Sequence, residues 1–109
     1  MNISGLVVDL PLYIVGSGKE CMMLDAEQGK HLCLFTELIF AERLRGNEPV
    51  LGVMEMPQLV KIVEIFDGTR LAGVCFDLEQ TPEGPKTRFA VRWNEFKEDV
   101  LREAGLIDG

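Results

Sequence analysis

Apolar residues along the chain fall into short runs broken by glycine, proline and acidic residues, and the spacing within each run predicts its conformation. Leu12 to Val15 combines aromatic and β-branched residues and is followed by Gly-Ser-Gly-Lys-Glu, which predicts a strand and then a turn. Cys21 to Leu24 reads as a second strand and His31 to Phe35 as a third, with the turn over Ala26 to Lys30, so a three-stranded meander is expected. At Thr36 the pattern changes. Thr36 is the expected N-cap of a helix, and Glu37 suits its first turn, where a negative charge meets the positive end of the helix dipole. Leu38, Ile39, Ala41 and Leu44 share the face expected to be buried, Glu42, Arg43 and Arg45 are assigned to water, and Gly46 with Asn47 ends the helix.

Val50 to Met54 predicts a fourth strand, and Pro57 stands where the first turn of a second helix tolerates proline. In that helix Leu59, Ile62, Val63 and Phe66 follow the i, i+3, i+4, i+7 spacing of one face, and Asp67-Gly68 closes it. Leu71 to Leu78 alternates, with Ala72, Val74, Phe76 and Leu78 opposed to Gly73, Cys75 and Asp77, which predicts a half-buried strand. Thr81 to Lys86 holds proline and glycine where a turn needs them. Thr87 to Trp93 then alternates again, as a hairpin partner of the preceding strand would. Asn94 is the expected cap of a last helix over Glu95 to Ala104, with Phe96, Val100, Leu101 and Ala104 on its apolar side and Gly105 past its end. This order of elements predicts one α+β domain over residues 1–109, with a mixed, mostly antiparallel sheet of five to six strands and about three helices.

Composition narrows the partners. The chain of 109 residues is 47% hydrophobic and 27% charged, as an ordinary globular domain is. Its net charge of −7 repels phosphate backbones and anionic lipid, and its 11 lysines and arginines form no basic stripe, so neither nucleic acid nor membrane is an expected partner. The amino-terminal run lacks a positive region and is interrupted by Asp9 and Pro11, so it does not read as a signal peptide. Three cysteines without framework spacing fit a reducing compartment, and the cytoplasm is the expected location.

Candidate chemistry is sparse. Gly16-Ser17-Gly18-Lys19 resembles the end of a phosphate-binding loop, but such a loop needs glycine where Tyr13 stands and serine or threonine where Glu20 stands. Cys21, His31 and Cys33 are the soft-ligand candidates. With the expected turn, Asp25 faces His31 and Cys21 lies ~13 Å along the second strand, too far to share one zinc ion. Cys33 and Cys75 sit between large apolar neighbours and read as buried and inert, whereas Cys21 stands at a strand edge where it is open to reagents. Glu98 with Asp99 reads as a solvated helix face, and Met22, Met23, Met54 and Met56 as core or edge filling. No catalytic, cofactor-binding or metal-ligating residue is assigned.

The run Leu12 to Val15, the glycine-turned segment leading into Leu-Cys-Leu-Phe-Thr at residues 32–36, the helix after it, Val-Leu-Gly-Val-Met-Glu-Met-Pro at residues 50–57 and Leu-Ala-Gly-Val-Cys-Phe-Asp-Leu at residues 71–78 together resemble the amino-terminal domain of the SseB family, the enhanced-serine-sensitivity proteins of bacteria. Where that family often carries proline before its helix entry, this chain has Cys33, and Leu38-Ile39 stand where small and acidic residues are usual. The resemblance implies a small cytosolic domain without known catalytic residues, used in regulation or protein association. The expected function is therefore a non-enzymatic interaction module with a protein partner, a homodimer being one such assembly. The alternative is a small enzyme or ligand-binding protein with a site at the carboxyl ends of the strands, using Cys21 or Asp77.

Overall fold

Five of the six strand pairs in the computed structural model, which describes residues 1–108, are antiparallel and one is parallel, and three helices pack on them. The architecture is α+β in a single domain, as expected, although Gly109 lies outside the described residues. The expected single sheet is instead divided. Ten short strands form a four-stranded sheet and three two-stranded ribbons.

The first ribbon pairs β1 (Asn2–Ile3) with β2 (Leu6–Val7), an element the strand reading above lacks. Ser4 and Gly5 both hold positive φ, 52° and 84°, which is what a two-residue hairpin turn requires. β3 (Leu12–Val15) forms where expected, but it is not the first strand of a meander. It pairs antiparallel with β6 (Val50–Val53) and meets the main sheet only through a bridge between Tyr13 and Phe35. The Gly-Ser-Gly-Lys-Glu segment does reverse the chain through a short 3-10 turn at Gly18–Glu20, and Met22 N then donates to the Val15 carbonyl at 2.7 Å. β4 (Met23–Ala26) and β5 (Gly29–Leu34) form the next hairpin, two residues later than expected on the first strand. Its turn is tighter than the one expected, with Ala26 opposite Gly29. Leu24 rather than Asp25 therefore faces His31.

β5 lies beside β7 (Gly73–Phe76) in the parallel pair, and β10 (Phe89–Arg92) closes the sheet antiparallel to β7. The chain between β5 and β7 carries α1 (Leu38–Leu44), β6 and α2 (Met56–Phe66), because parallel neighbours need a crossover connection. The four residues of β7 are all buried, so the expectation of a half-buried strand is corrected. Val74 and Phe76 enter the core beneath α2 and α3 (Trp93–Glu103), together with Leu32 and Leu34 of β5. Cys33, Phe35 and Cys75 face the other way, into a smaller core with Val15, Ala41 and Leu78. Both faces of the parallel pair are thus covered.

In α2 the four residues assigned to the core, Leu59, Ile62, Val63 and Phe66, are the four buried ones. The helix starts with a capping box, in which the Glu55 side chain accepts from the main chain near Gln58 while Gln58 reaches back to the Glu55 N–H at 2.9 Å. α1 differs from its expected form. Glu37, not Thr36, is the N-cap, and Leu38 and Ile39 are exposed while Ala41 is buried with Phe40 and Leu44 packed beside it. α3 begins one residue before the expected cap. Trp93, Phe96 and Val100 dock it on the main core, with the Trp93 and Phe96 rings 5.9 Å apart.

At Gly73 the β7 strand approaches β10 closely. A Cβ at this position would run into the Val91 carbonyl oxygen of β10, so the sheet closes only around a residue without a side chain.

Candidate functional site

The chain leaves β5 at Leu34 and β7 at Phe76, side by side and pointing the same way, so two loops diverge from one edge of the sheet. The Asp77 N–H extends the pairing by one bond, donating to the Leu34 carbonyl at 2.9 Å. Asp77 then adopts a positive φ of 56°, a conformation that aspartate tolerates better than most residues. That turn re-aims the chain. Leu78, expected on the same side as Val74 and Phe76, points instead into the smaller core with Phe35 and Ala41.

The Asp77 carboxylate is turned toward the first loop. It accepts from the Thr36 main-chain N–H at 2.7 Å through one oxygen and from the Thr36 hydroxyl at 2.8 Å through the other. Arg88 approaches the second oxygen at 3.7 Å from the solvent side, and the Asp77 side chain is only 7% exposed. Thr36 is withdrawn from the capping role by this contact, and Glu37 becomes the N-cap of a helix that starts at Leu38.

Over this clamp lies a groove of about 630 Å³. One wall is α1, from which Phe40 and Leu44 project on the same stripe as Glu37. The opposite wall is the ribbon of β8 (Glu79–Thr81) and β9 (Gly84–Lys86) with the segment leading into β10. Phe40, Leu44 and Leu78 make an apolar floor, and Arg43, Lys86 and Arg88 stand around it with Glu37 and Glu79. Arg43 lies 5.9 Å above the Phe40 ring and has no ion-pair partner among the described residues. Lys86 is held by Glu83 at 3.1 Å. Counting Asp77, three basic side chains meet three acidic ones, so the groove is balanced in a chain whose net charge is −7.

Of the residues singled out in the sequence, Asp77 alone reaches this groove. Cys21, expected at an accessible strand edge, lies before β4 and is buried at 6% exposure in the main core, where burial pushes its thiol up. His31 keeps its ring near its own turn, with Nδ1 3.2 Å from the Gly29 carbonyl. Cys33 leaves that neighbourhood for the opposite strand, its sulfur 3.5 Å from that of Cys75. The described residues contain no group of three or more histidine, cysteine, aspartate or glutamate side chains able to hold a metal ion. No helix among them is long and apolar enough to cross a membrane.

The residues that sequence reasoning missed are Thr36 as a carboxylate partner and Phe40, Arg43 and Leu44 as a groove wall. The one available signal was the stripe of Glu37, Phe40 and Leu44, at i, i+3 and i+7, which competes with the stripe chosen above. The chain matches no protein-family model and no curated protein.

Proposed function

We propose that this chain is a non-enzymatic, cytosolic interaction module that takes an extended segment of a partner protein in the groove between α1 and the β8–β9 ribbon. The observation that carries the reading is the union of an apolar floor, Phe40, Leu44 and Leu78, with an arginine that has no acidic partner of its own. A side chain of the partner would bury against the floor, and a carboxylate one or two residues away would meet Arg43. Apolar anchors flanked by a charge-assisted contact are how small grooves gain both affinity and orientation. Binding is favoured over catalysis because Asp77, the most buried of the three carboxylates lining the groove, has both oxygens committed to Thr36, and no cysteine or histidine lines the walls. The resemblance to the SseB amino-terminal domain, which implies roles in protein association, supports the same reading.

The volume also falls within the range of small-molecule sites. A single experiment separates the two. Random peptides displayed on phage are selected on the native protein, and the winners are titrated into labelled protein and into Arg43→Glu. The reading expects sequences that pair an aromatic or aliphatic residue with an acidic one, amide shifts confined to residues 37–44 and 77–88, and affinity about tenfold lower for the variant, as loss of ~1.4 kcal/mol gives. Failure to select any peptide, or shifts that map elsewhere, would turn the assignment toward a small ligand or away from the groove altogether.

A further inference from the structure

Cys33 and Cys75 are 42 residues apart in sequence and directly opposite each other in the parallel ladder of β5 and β7. Residues so paired have their side chains on the same face of the sheet and their Cα atoms about 4.8 Å apart, within the range that a disulfide spans. Their sulfurs are already in contact at 3.5 Å, and the thiols are free. Both side chains are buried, at 0% and 1% exposure, among Val15, Phe35, Ala41 and Leu78. No buried polar or charged side chain occupies that core with the two sulfurs.

We propose that Cys33 and Cys75 form a reversible dithiol–disulfide couple whose oxidant is a small hydroperoxide. The two thiols titrate as a pair. Ionisation of Cys75 is favoured because the Cys33 S–H can donate to its thiolate, and Cys33 is pushed up because that hydrogen bond holds its proton and burial disfavours a second charge. The Cys75 thiolate attacks one oxygen of hydrogen peroxide. An S–O bond forms as the O–O bond breaks, and the departing hydroxide takes up a proton to leave as water. The Cys33 sulfur then displaces hydroxide from the sulfenic acid. The S–S bond forms as the S–O bond breaks, and the Cys33 proton leaves with that hydroxide as a second water. Two electrons pass from the thiols to the peroxide.

The floor of the groove, Phe40, Leu44 and Leu78, belongs to the same cluster as the two cysteines. An oxidant that reaches sulfurs buried to 0% and 1% exposure beneath an apolar floor has to be small and uncharged, as a hydroperoxide is. Closing the bond brings the sulfurs from 3.5 Å to about 2.05 Å, a shift that rotation about the side-chain bonds can supply.

The test uses the folded full chain and is independent of what the groove binds. Native protein is exposed to hydrogen peroxide, quenched, unfolded and alkylated, then weighed intact and mapped by peptide mass spectrometry. The expected product carries one alkyl group where the untreated protein carries three, with the peptides holding Cys33 and Cys75 joined, Cys21 alkylated, and free thiols reduced from three to one. Dithiothreitol should restore all three. Complete alkylation of Cys33 and Cys75 after peroxide, their conversion to sulfinic acid without linkage, or a bond involving Cys21 or a second chain would each overturn the assignment.

Discussion

Asp77 holds Thr36 by two hydrogen bonds, at 2.7 Å to the main-chain nitrogen and 2.8 Å to the hydroxyl, and so ties together the loops that leave the two parallel strands. A carboxylate bonded in this way, in a side chain only 7% exposed, contributes more than an ordinary surface contact. Asp77→Ala should destabilise the fold by about 2–3 kcal/mol, combining the lost bonds with the strain of alanine at positive φ. Asp77→Asn, which tolerates that backbone and retains an acceptor, should cost about 1 kcal/mol. Urea midpoints for the two variants check the order, and equal losses would show that neither backbone strain nor the acceptor retained by asparagine contributes.

A pair of truncations tests the helix faces. Phe66→Ala removes a ring that is 3% exposed and should cost about 3–5 kcal/mol. Ile39→Ala removes a side chain that is 52% exposed and should change stability by no more than about 0.5 kcal/mol. Denaturant midpoints that place the two changes level would contradict the orientation of α1.

These two helices also show how far local pattern carries. α2 runs eleven residues with one unbroken apolar stripe and a capping box, so its start and its buried face are both written in the residues themselves. α1 has seven residues, five of them apolar, and two overlapping stripes fit it equally well until the clamp between Thr36 and Asp77 fixes the rotation. That contact spans 41 residues, and no periodicity encodes it. Strand pairing was hidden for the same reason. Leu12 to Val15 reads correctly as a strand, but whether it pairs with Cys21–Leu24 or with Val50–Val53 depends on surfaces brought together later. The hairpin at Ser4-Gly5 is a different case, since that dipeptide between apolar residues is itself a turn signal.

The ion pair between Lys97 of α3 and Asp67 at the end of α2 gives a pH signature. The Lys97 ammonium bonds the Asp67 carboxylate at 2.9 Å and holds it below the ordinary aspartate value of 3.8. A depressed folded-state value means that the carboxylate's contribution is present above 3.8 and is lost as pH falls through the lower, folded value. The stability gap between the native chain and Lys97→Met should therefore be small, should be seen at neutral pH, and should close as the pH is lowered to about 2 or in about 1 M salt. Urea titrations across that range measure it, and a gap indifferent to both would mean that the lysine acts through its methylene packing.

Gly73→Ala introduces a methyl group against the Val91 carbonyl. Main-chain atoms on a neighbouring strand cannot step aside as a flexible side chain can, so the substitution should cost about 1–3 kcal/mol. Amide exchange should quicken at Gly73–Phe76 and Phe89–Arg92, the two strands it would wedge apart. Unchanged exchange there would locate the close approach elsewhere.

The first hairpin is fastened to the last helix. Asn2 N donates to Glu103 at 2.8 Å and Ser4 N to Asp99 at 2.7 Å, across 101 and 95 residues, while Ile3 is fully buried in the core that Phe96 and Val100 share. On the ribosome, Ile3 emerges well ahead of Phe96 and Val100 and lacks the cover of α3 until that helix is outside the exit tunnel. β5 likewise waits for β7. Synthesis adds roughly 5–20 residues per second, so this apolar segment stays uncovered for several seconds of each chain's birth. Acquisition of the fold is tied to the completion of α3, and a ribosome stalled before Trp93 would display a chain whose core is not closed.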